Sequence, residues 1–461
     1  MNLPQLRHDK EPFSYQKARL ANLLVVGDKV RPLLYATFFL FFGESIFITV
    51  LNLYLANSLA LSYGWITIVF SVTMITGAVV SLPIGYMCDR IGRKPVLIIG
   101  FYFWLFGMSG IALFNSVGVI LFFSALHGTG MAAVWTAFAP ELTELTERRM
   151  QLRAFAMNFA MVFAGSVAGF LVGGVFPNIV PHIFGGEVSS YRITMLLGCL
   201  MLFPANRFLA SLPKDYFSNA KYRILHAGRS ERRRRFFTTI EVMIPYCLSG
   251  IAVGLTLPFI NVYLKKVFLL SDHNIGFSLA AFAAVEGLVI LLIPFLSKLT
   301  GRIALTSLAL LVASPFLVLV GFVQSPLGTI SLLVISVALV NLSIPLQLAF
   351  AMRRFASVMR GMISAEMATV WYGANGLGAL FSLTVSRNEF ELIGKSYLPA
   401  AVIAFCGGLL YWVFWRKRNR EVPHAPHEHF ALSRAASGRI PTVDDPATDS
   451  ELDEESERRR E

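Results

Sequence analysis

Charged residues are scarce in this chain of 461 residues. Asp, Glu, Lys and Arg make up 15% of it, 55% is hydrophobic and the mean hydropathy is +0.62. Soluble domains carry about 25% charged residues, so a soluble globular protein does not fit this composition. Apolar runs of about 20 residues instead indicate an all-α, polytopic membrane protein.

Cysteine and catalytic motifs are also scarce. The four cysteines are scattered, mostly inside apolar runs, without ligand spacing or a disulfide framework: Cys88, Cys199, Cys247 and Cys406. The chain has no Walker loop, metal-ligand cluster or Ser-His-Asp constellation, which disfavours an enzyme or an ATP-driven pump. We therefore expect no catalytic residue, no cofactor and no metal ion. The lack of a sequon in an expected external loop favours a bacterial cell membrane, the cytoplasmic one.

Apolar segments separated by polar breaks predict twelve membrane-spanning helices. Each is long enough to cross about 30 Å of hydrocarbon at 1.5 Å per residue. We place them at residues 33–57, 64–87, 95–114, 117–138, 152–177, 191–211, 240–264, 275–297, 303–323, 328–350, 361–385 and 397–415.

The positions of the basic residues orient these helices. If both termini are cytoplasmic, only five of the 40 Lys and Arg residues fall on the opposite side: Arg192, Lys265, Lys266, Arg387 and Lys395. Positive charge accumulates in cytoplasmic loops, so the asymmetry predicts cytoplasmic termini. It also attributes the net charge of +12 to basic loops, and we expect no nucleic-acid partner.

Composition divides the chain into five predicted regions. Residues 1–32 are a cytoplasmic segment, 33–211 a six-helix bundle, 212–239 a basic cytoplasmic linker, 240–417 a second six-helix bundle, and 418–461 a polar cytoplasmic tail. We expect the tail to be disordered because it lacks apolar periodicity. Arginines clustered in the linker could attract anionic membrane lipid.

The two predicted bundles repeat short motifs at one offset. The motif N-x-Y-L at residues 52–55 recurs at residues 261–264, and G-R at residues 92–93 recurs at residues 301–302, both shifted by 209 residues. Such matches predict two parallel halves related by a pseudo-twofold axis along the membrane normal. In that plan the substrate site lies near the midplane, and the halves rock to expose it to alternate sides.

A charged turn between two apolar runs carries the sharpest motif, GYMCDRIGRK, at residues 85–94. It resembles the loop signature G-x-x-x-D-R-x-G-R-[RK] of the major facilitator superfamily. Every fixed position matches: Gly85, Asp89, Arg90, Gly92, Arg93 and Lys94. From the residues alone, Gly85 allows close helix approach, Gly92 permits a turn with positive φ, and the positive charges could merely set the topology.

The resemblance covers nearly all of residues 30–417. It implies the fold of this superfamily and a secondary transporter that works by alternating access. It also implies that the motif acts as a cytoplasmic gating loop, a charged latch that holds the two halves together in one state.

A glycine pattern in the fifth predicted helix, GSVAGFLVGG, is similar to the G-x-x-x-G-P-x-x-G-G pattern of exporters in this superfamily. Four helix-packing glycines match: Gly165, Gly169, Gly173 and Gly174. Phe170 stands in place of the proline. Small residues at this spacing let two helices pack closely, and the resemblance implies a drug/proton antiporter of the efflux type.

Three ionisable residues fall near the middle of predicted helices: Glu44, His127 and Glu286. Such residues are costly in lipid and usually face a cavity or a partner. They are candidates for proton coupling or for the substrate cavity, and the alternative for each is a structural hydrogen bond between helices. Aromatic residues are candidates for the cavity wall: Trp135, Trp371 and Tyr372.

These features together predict a monomeric transporter, with protons as the coupling ion, that exports amphipathic or cationic small molecules. Two alternatives stay open. One is proton-coupled uptake of a nutrient or organic anion, and the other is a non-transporting sensor or scaffold built on the same fold.

Overall fold

The computed structural model describes residues 27–146, 150–184, 190–213, 229–354 and 360–415. Within these ranges the regular structure is helical, and they contain no strand. A chain that crosses lipid must satisfy its backbone hydrogen bonds inside each segment, and a helix does so. The predicted all-α fold class is therefore confirmed.

The described part of each half contains seven helices. In the first half these are α1 (Arg31–Leu53), α2 (Tyr63–Ile91), α3 (Arg93–Leu113), α4 (Val117–Leu145), α5 (Gln151–Phe184), α6 (Ser190–Leu202) and α7 (Pro204–Ala210). In the second half they are α8 (Arg229–Thr256), α9 (Ile260–Val267), α10 (Asp272–Thr300), α11 (Arg302–Val320), α12 (Pro326–Arg354), α13 (Arg360–Ser386) and α14 (Tyr397–Trp415). A π-helical turn, Tyr54–Ser58, extends α1, and a 3₁₀ helix, Phe390–Ser396, precedes α14.

Eleven segments of the described chain are long and apolar enough to span a membrane. The predicted segment 361–385 corresponds to α13, which is not one of the eleven. Its sequence mixes Trp, Tyr, Asn and Gly with the apolar residues, although it forms a helix of 27 residues that packs against α2 and α8. The chain is thus a multi-pass membrane protein, and the count of twelve spanning helices stays a prediction.

Two predicted helices are interrupted, and one of the two also begins earlier than predicted. The segment predicted at 240–264 breaks after Thr256, where α8 ends, and Pro258 in the break has no backbone N–H to continue the helix. Phe203 separates α6 from α7, just before Pro204. Helix α8 begins at Arg229, inside the predicted linker. Most of that linker and all of the predicted tail, residues 418–461, lie outside the described residues.

Helix packing repeats between the two halves. In the first half α1 packs against α5 and α3 against α4, and in the second half α8 packs against α13 and α11 against α12. Helix α2 contacts both α4 and α13, and helix α10 contacts both α12 and α5. Two equivalent pairs, α2 with α13 and α5 with α10, therefore join the halves, as a pseudo-twofold repeat requires.

The repeated G-R motif marks an equivalent turn in each half. Gly92 separates α2 from α3 with φ of 94°, and Gly301 separates α10 from α11 with φ of 80°. Glycine adopts this left-handed region without the steric cost that other residues meet. We call the end of the bundle that carries Gly92 the α2–α3 end. The opposite end, where α1 gives way to α2, is the α1–α2 end.

Candidate functional site

Three side chains from three helices meet inside the first half. Glu44 on α1 and His127 on α4 are each 4% exposed, and Trp104 on α3 is fully buried. The indole Nε1–H of Trp104 donates to Glu44 Oε2 at 2.7 Å, and Glu44 Oε1 lies 3.3 Å from His127 Nε2. The structure thus brings together two of the three ionisable residues singled out in the sequence, and Trp104 is a partner that the sequence did not suggest.

The contact between Glu44 and His127 is close but is not aligned as a hydrogen bond. Glu44 Oε1 and His127 Nε2 are buried, and neither atom has a hydrogen-bond partner. The rings of Phe47 and Trp104 lie 6.1 and 6.2 Å from the imidazole ring. Because nearly all buried polar atoms in proteins are paired, this pair of atoms requires an explanation. A proton carried by either residue, together with a small rotation of one side chain, could complete the missing bond.

Glycines place these side chains together by letting the helices approach closely. A Cβ atom on Gly107 of α3 would collide with the backbone of His127, and one on Gly130 of α4 with the backbone of Trp104. A Cβ on Gly43 of α1 would lie 2.5 Å from the carbonyl oxygen of Gly198 on α6. The cluster is therefore enclosed by α1, α3, α4 and α6, and we call Glu44, Trp104 and His127 the buried triad.

Glu286 lies apart from the buried triad, on α10 in the second half. Its side chain is partly exposed, and its Oε1 accepts a hydrogen bond from Asn341 Nδ2 on α12 at 2.8 Å. This bond ties two helices of the same half, which is the structural alternative stated for this residue. It leaves the second carboxylate oxygen free for a ligand or a proton.

The three candidate aromatic residues have different surroundings. Trp135 on α4 is 36% exposed. The ring of Trp371 on α13 lies 5.4 Å from that of Tyr246 on α8. The adjacent Tyr372 is buried against α2, where a Cβ on Gly77 would lie 3.3 Å from its ring. Trp371 therefore packs within the second half, whereas Tyr372 reaches the first half, and their role as walls of a cavity stays a prediction.

The loop motif joins several elements at the α2–α3 end. Arg93 forms an ion pair with Glu144 near the end of α4. Lys94 Nζ donates to the carbonyl oxygen of Ala210 at 2.8 Å and also to that of Leu212. These contacts attach the start of α3 to the end of α4 and to the end of α7. The basic residues directly after Gly92 therefore bind neighbouring elements of the first half.

The remaining motif residues lie on α2. Gly85 faces the second half, where a Cβ would lie 3.1 Å from Ala365 Cβ on α13. The guanidinium of Arg90 lies 4.8 Å from the centre of the Tyr86 ring on the same helix. The side chain of Asp89 lies outside the described part of the chain, so its role in a latch stays a prediction.

The four glycines of α5 serve two interfaces. Cβ atoms on Gly165 and Gly169 would each lie 2.5 Å from a backbone carbonyl oxygen of α1, and one on Gly173 would lie 2.8 Å from Thr49 Oγ1. Gly174 faces α10 instead, where a Cβ would lie 2.6 Å from Gly276 Cα. The stripe therefore packs α5 against its own half and, at its end, against the other half.

Two equivalent asparagines of the internal repeat bind each other at the α1–α2 end. Asn52 Nδ2 donates to Asn261 Oδ1 at 3.1 Å and to the carbonyl oxygen of Pro258 at 2.6 Å. Asn261 Nδ2 donates to the carbonyl oxygen of Thr49 at 3.0 Å. We call this pair the asparagine clasp, since it joins α1 to α9 and to the break before it. The shared offset of 209 residues is the only sequence signal that could have indicated it.

Further contacts close the same end between α2 and α13. Tyr63 and Ser382 share a hydrogen bond of 2.7 Å between their hydroxyl oxygens, and Ser71 Oγ donates to the carbonyl oxygen of Gly376 at 3.2 Å. The ring of Phe259, in the break before α9, lies 5.0 Å from that of Tyr63. In this conformation the two halves are therefore in direct contact at the α1–α2 end.

Comparison with known proteins agrees with this architecture. The family model for the Major Facilitator Superfamily matches residues 33–379. The inner membrane transport protein YajR of Escherichia coli strain K12 is 34% identical over 95 residues, which cover 21% of this chain and 20% of that protein. The chain thus spans about a fifth of the length of this curated relative.

Two solved structures share the fold at low sequence identity. A bacterial homolog of the human lysosomal transporter Spinster, in an inward-facing and occupied conformation, gives a TM-score of 0.66 at 16% identity, covering 86% of this chain and 97% of that one. A D-xylose-proton symporter gives a TM-score of 0.65 at 16% identity, covering 83% and 97%. At this identity the similarity shows the fold alone.

Proposed function

The chain belongs to the major facilitator superfamily and is a multi-pass transporter of a small molecule, and from this premise we propose that it is a proton-coupled exporter. Its substrates would be amphipathic or cationic molecules, moved across a bacterial cell membrane by alternating access. In this proposal both termini are cytoplasmic, so the α2–α3 end faces the cytoplasm and the α1–α2 end faces outward.

Proton coupling rests on one observation, the unpartnered contact of 3.3 Å between Glu44 Oε1 and His127 Nε2. Both residues lie near the middle of their helices, where ionisable groups are costly and usually functional. Trp104 holds the other carboxylate oxygen, so Oε1 is presented to the imidazole. A proton is small enough to bind between these two atoms, and its arrival or departure changes the charge of the pair.

The proton site is connected along one helix to the asparagine clasp. Glu44 and Asn52 are both on α1, separated by about two helical turns. A change of charge at Glu44 that moves α1 would also move the side chain that bonds to Asn261 and Pro258. This gives a physical route from protonation to opening of the α1–α2 end.

Export and substrate class have separate support. The glycine stripe of α5 is similar to that of exporters, with Phe170 in place of the proline. Glu286 offers one partly exposed carboxylate on an otherwise apolar stretch of α10, and Asn341 orients it. A lone acid in such surroundings suits a molecule with one positive charge and an otherwise apolar body.

The test uses purified protein in liposomes that contain a pH-sensitive dye. Pools of lipophilic cations, weak acids and sugars are added under an imposed proton gradient. Wild type, Glu44→Gln and a control, Glu389→Gln at an exposed position, are compared. Glutamine at position 44 keeps an acceptor for Trp104 but cannot take up a proton, so we expect Glu44→Gln to lose the proton flux driven by lipophilic cations and Glu389→Gln to keep it.

Three results would contradict the proposal. Flux that persists in Glu44→Gln would remove the triad from coupling. A response to sugars or weak acids alone would replace export of cations with uptake of a nutrient or anion. If no pool of compounds drives a proton flux, and the protein keeps its size-exclusion profile, a non-transporting member of the family would be favoured.

A further inference from the structure

A groove opens at the α1–α2 end between the start of α2 and the end of α13. It encloses about 400 Å³. Its lining includes Ser62, Trp65, Ile68, Leu383, Arg387 and Asn388. We call it the α2–α13 groove. It is distinct from the buried triad, which lies inside the first half.

One part of this groove carries positive charge and hydrogen-bond donors. Arg387 is exposed, and none of the described acidic side chains forms an ion pair with it. Asn388 Oδ1 already accepts a bond of 2.5 Å from the backbone N–H of Gly64, which leaves its Nδ2 group as a donor. Guanidinium and amide donors that are not bound to a carboxylate suit a phosphate group.

The other part of the groove is apolar and extends along α2 and α13. Trp65 is 43% exposed, and Ile68 lies one helical turn further along α2, opposite Leu383 on α13. Trp is enriched at the level where headgroups meet hydrocarbon, and Arg side chains near helix ends extend to that level. An occupant of this groove therefore needs an anionic group at the helix ends and an apolar chain that runs toward the middle of the membrane.

We propose that the α2–α13 groove binds a phospholipid, with the phosphate on Arg387 and Asn388 and an acyl chain over Trp65 and Ile68. A phospholipid has the charge and the apolar chain in the required order. A free phosphate would satisfy the donors but would leave the apolar part of the groove empty.

The bound lipid would act on the two halves together. The bond from Gly64 N–H to Asn388 Oδ1 joins the start of α2 to the turn after α13, and these elements belong to different halves. That turn contains two residues with positive φ, Arg387 at 51° and Asn388 at 65°, a conformation uncommon for residues other than glycine. A lipid that contacts both sides would favour the conformation in which the α1–α2 end is closed.

The test measures lipid binding directly by native mass spectrometry. Delipidated protein in detergent is titrated with phosphatidylglycerol, comparing wild type, Arg387→Gln, Arg387→Lys and the control Lys395→Gln. Lys395 is exposed at the same end but does not line the groove. We expect Arg387→Gln to bind about tenfold more weakly, as for loss of a charged hydrogen-bond donor, Arg387→Lys to bind with intermediate affinity, and Lys395→Gln to match wild type.

Inorganic phosphate separates the two possible sources of the anion. We expect an excess of it to leave bound phosphatidylglycerol in place, because it cannot fill the apolar part. Displacement of the lipid by inorganic phosphate would overturn the lipid assignment.

Equal affinity of wild type and Arg387→Gln, or equal losses in Arg387→Gln and Lys395→Gln, would overturn the site itself. If Arg387→Gln does not fold, Arg387→Lys takes its place: weaker binding than wild type supports the site, and equal binding overturns it. The measurement does not depend on transport, so it stands whether or not the proposed export is observed.

Discussion

At the scale of single residues, the indole of Trp104 determines which oxygen of Glu44 meets His127. The bond of 2.7 Å from Trp104 Nε1–H occupies Oε2, and the side chains of all three residues are buried. Removing the donor leaves a buried carboxylate oxygen without a partner, which costs more than the net value of a hydrogen bond. Trp104 is thus a positioning residue for the proposed proton site.

We expect Trp104→Phe to destabilise the protein by about 1–3 kcal/mol, because a buried acceptor loses its donor. The expected observation is a lower midpoint of thermal unfolding in detergent. In a background that lacks the half-buried Cys247 and the exposed Cys406, unfolding can be followed with a maleimide dye that reacts with the buried thiols of Cys88 and Cys199 as they become accessible. This readout does not depend on tryptophan fluorescence.

The control for this change is Trp135→Phe, which removes an indole that is 36% exposed. It should leave the midpoint close to that of wild type. The variant Trp104→Phe should also change the pH dependence of substrate-driven proton flux, which a purely structural indole would not affect. Equal midpoints for the two variants would show that the bond to Glu44 contributes little.

At the scale of the helix, α5 depends on the absence of side chains along one stripe. In membranes the association of helices relies on close packing, since lipid is as apolar as the helix surfaces. The glycine stripe brings the backbones of α5 and α1 into contact, and Gly174 continues that contact to α10. The stripe therefore positions α1, which carries Glu44 and Asn52.

We expect Gly169→Ala to weaken the contact between α5 and α1. The new Cβ would lie 2.5 Å from the carbonyl oxygen of Phe42 and 2.7 Å from Ser45 Cβ, so the backbones must separate. Overpacking of this kind typically costs about 1–3 kcal/mol, and the thermal midpoint should fall.

The matched change is Gly118→Ala in α4, where a Cβ meets no atom within 4 Å. Alanine is favoured over glycine in a helix by about 0.5–1 kcal/mol, so Gly118→Ala should keep or raise the midpoint. A midpoint for Gly169→Ala as high as that for Gly118→Ala would contradict the close packing of α5 on α1.

At the scale of the whole molecule, the asparagine clasp and the contacts between α2 and α13 hold the α1–α2 end closed. Alternating access requires these contacts to break and re-form. The pair α5 with α10 and the remainder of the α2–α13 interface supply the surfaces about which the halves can rock. In the clasp, equivalent residues of the two repeats bind each other across the α1–α2 end. Its loss should therefore shift the equilibrium between the closed and open states of that end.

We expect Asn52→Ala to shift the protein toward a conformation with an open α1–α2 end. The change removes bonds to Asn261 and to the carbonyl oxygen of Pro258, and each is worth about 1 kcal/mol. Spin labels at Ser116 and Phe322, which are exposed at this end, in a background without the native cysteines, should show longer distances by pulsed electron paramagnetic resonance.

The comparison variant is Asn375→Ala. Asn375 is also a buried asparagine, but its amide donates to Trp371 O within its own helix. The distribution of distances between the spin labels in Asn375→Ala should match that of wild type. If Asn52→Ala and Asn375→Ala give the same distribution, the clasp does not control the closure of this end.

Features that depend on neighbouring residues could be predicted from the sequence. The apolar segments identified the spanning helices to within a few residues in most cases, because length and hydropathy decide whether a segment can cross lipid. The G-R motif identified the turn in each half, because the positive φ of Gly92 and Gly301 is a local property of glycine. The glycines of α5 indicated close helix packing because glycine has no side chain to hold two helix backbones apart.

Only the tertiary structure decided which side chains meet. Glu44 bonds to Trp104 across 60 residues of chain, Asn341 bonds to Glu286 across 55, and Asn52 bonds to Asn261 across 209. Such contacts depend on how each helix is rotated about its axis. In a soluble protein an apolar stripe shows that rotation, but helices in lipid are apolar on nearly all faces, so their sequences do not show which face turns inward. Close backbone packing determines the rotation instead, and that exists only once the helices are assembled.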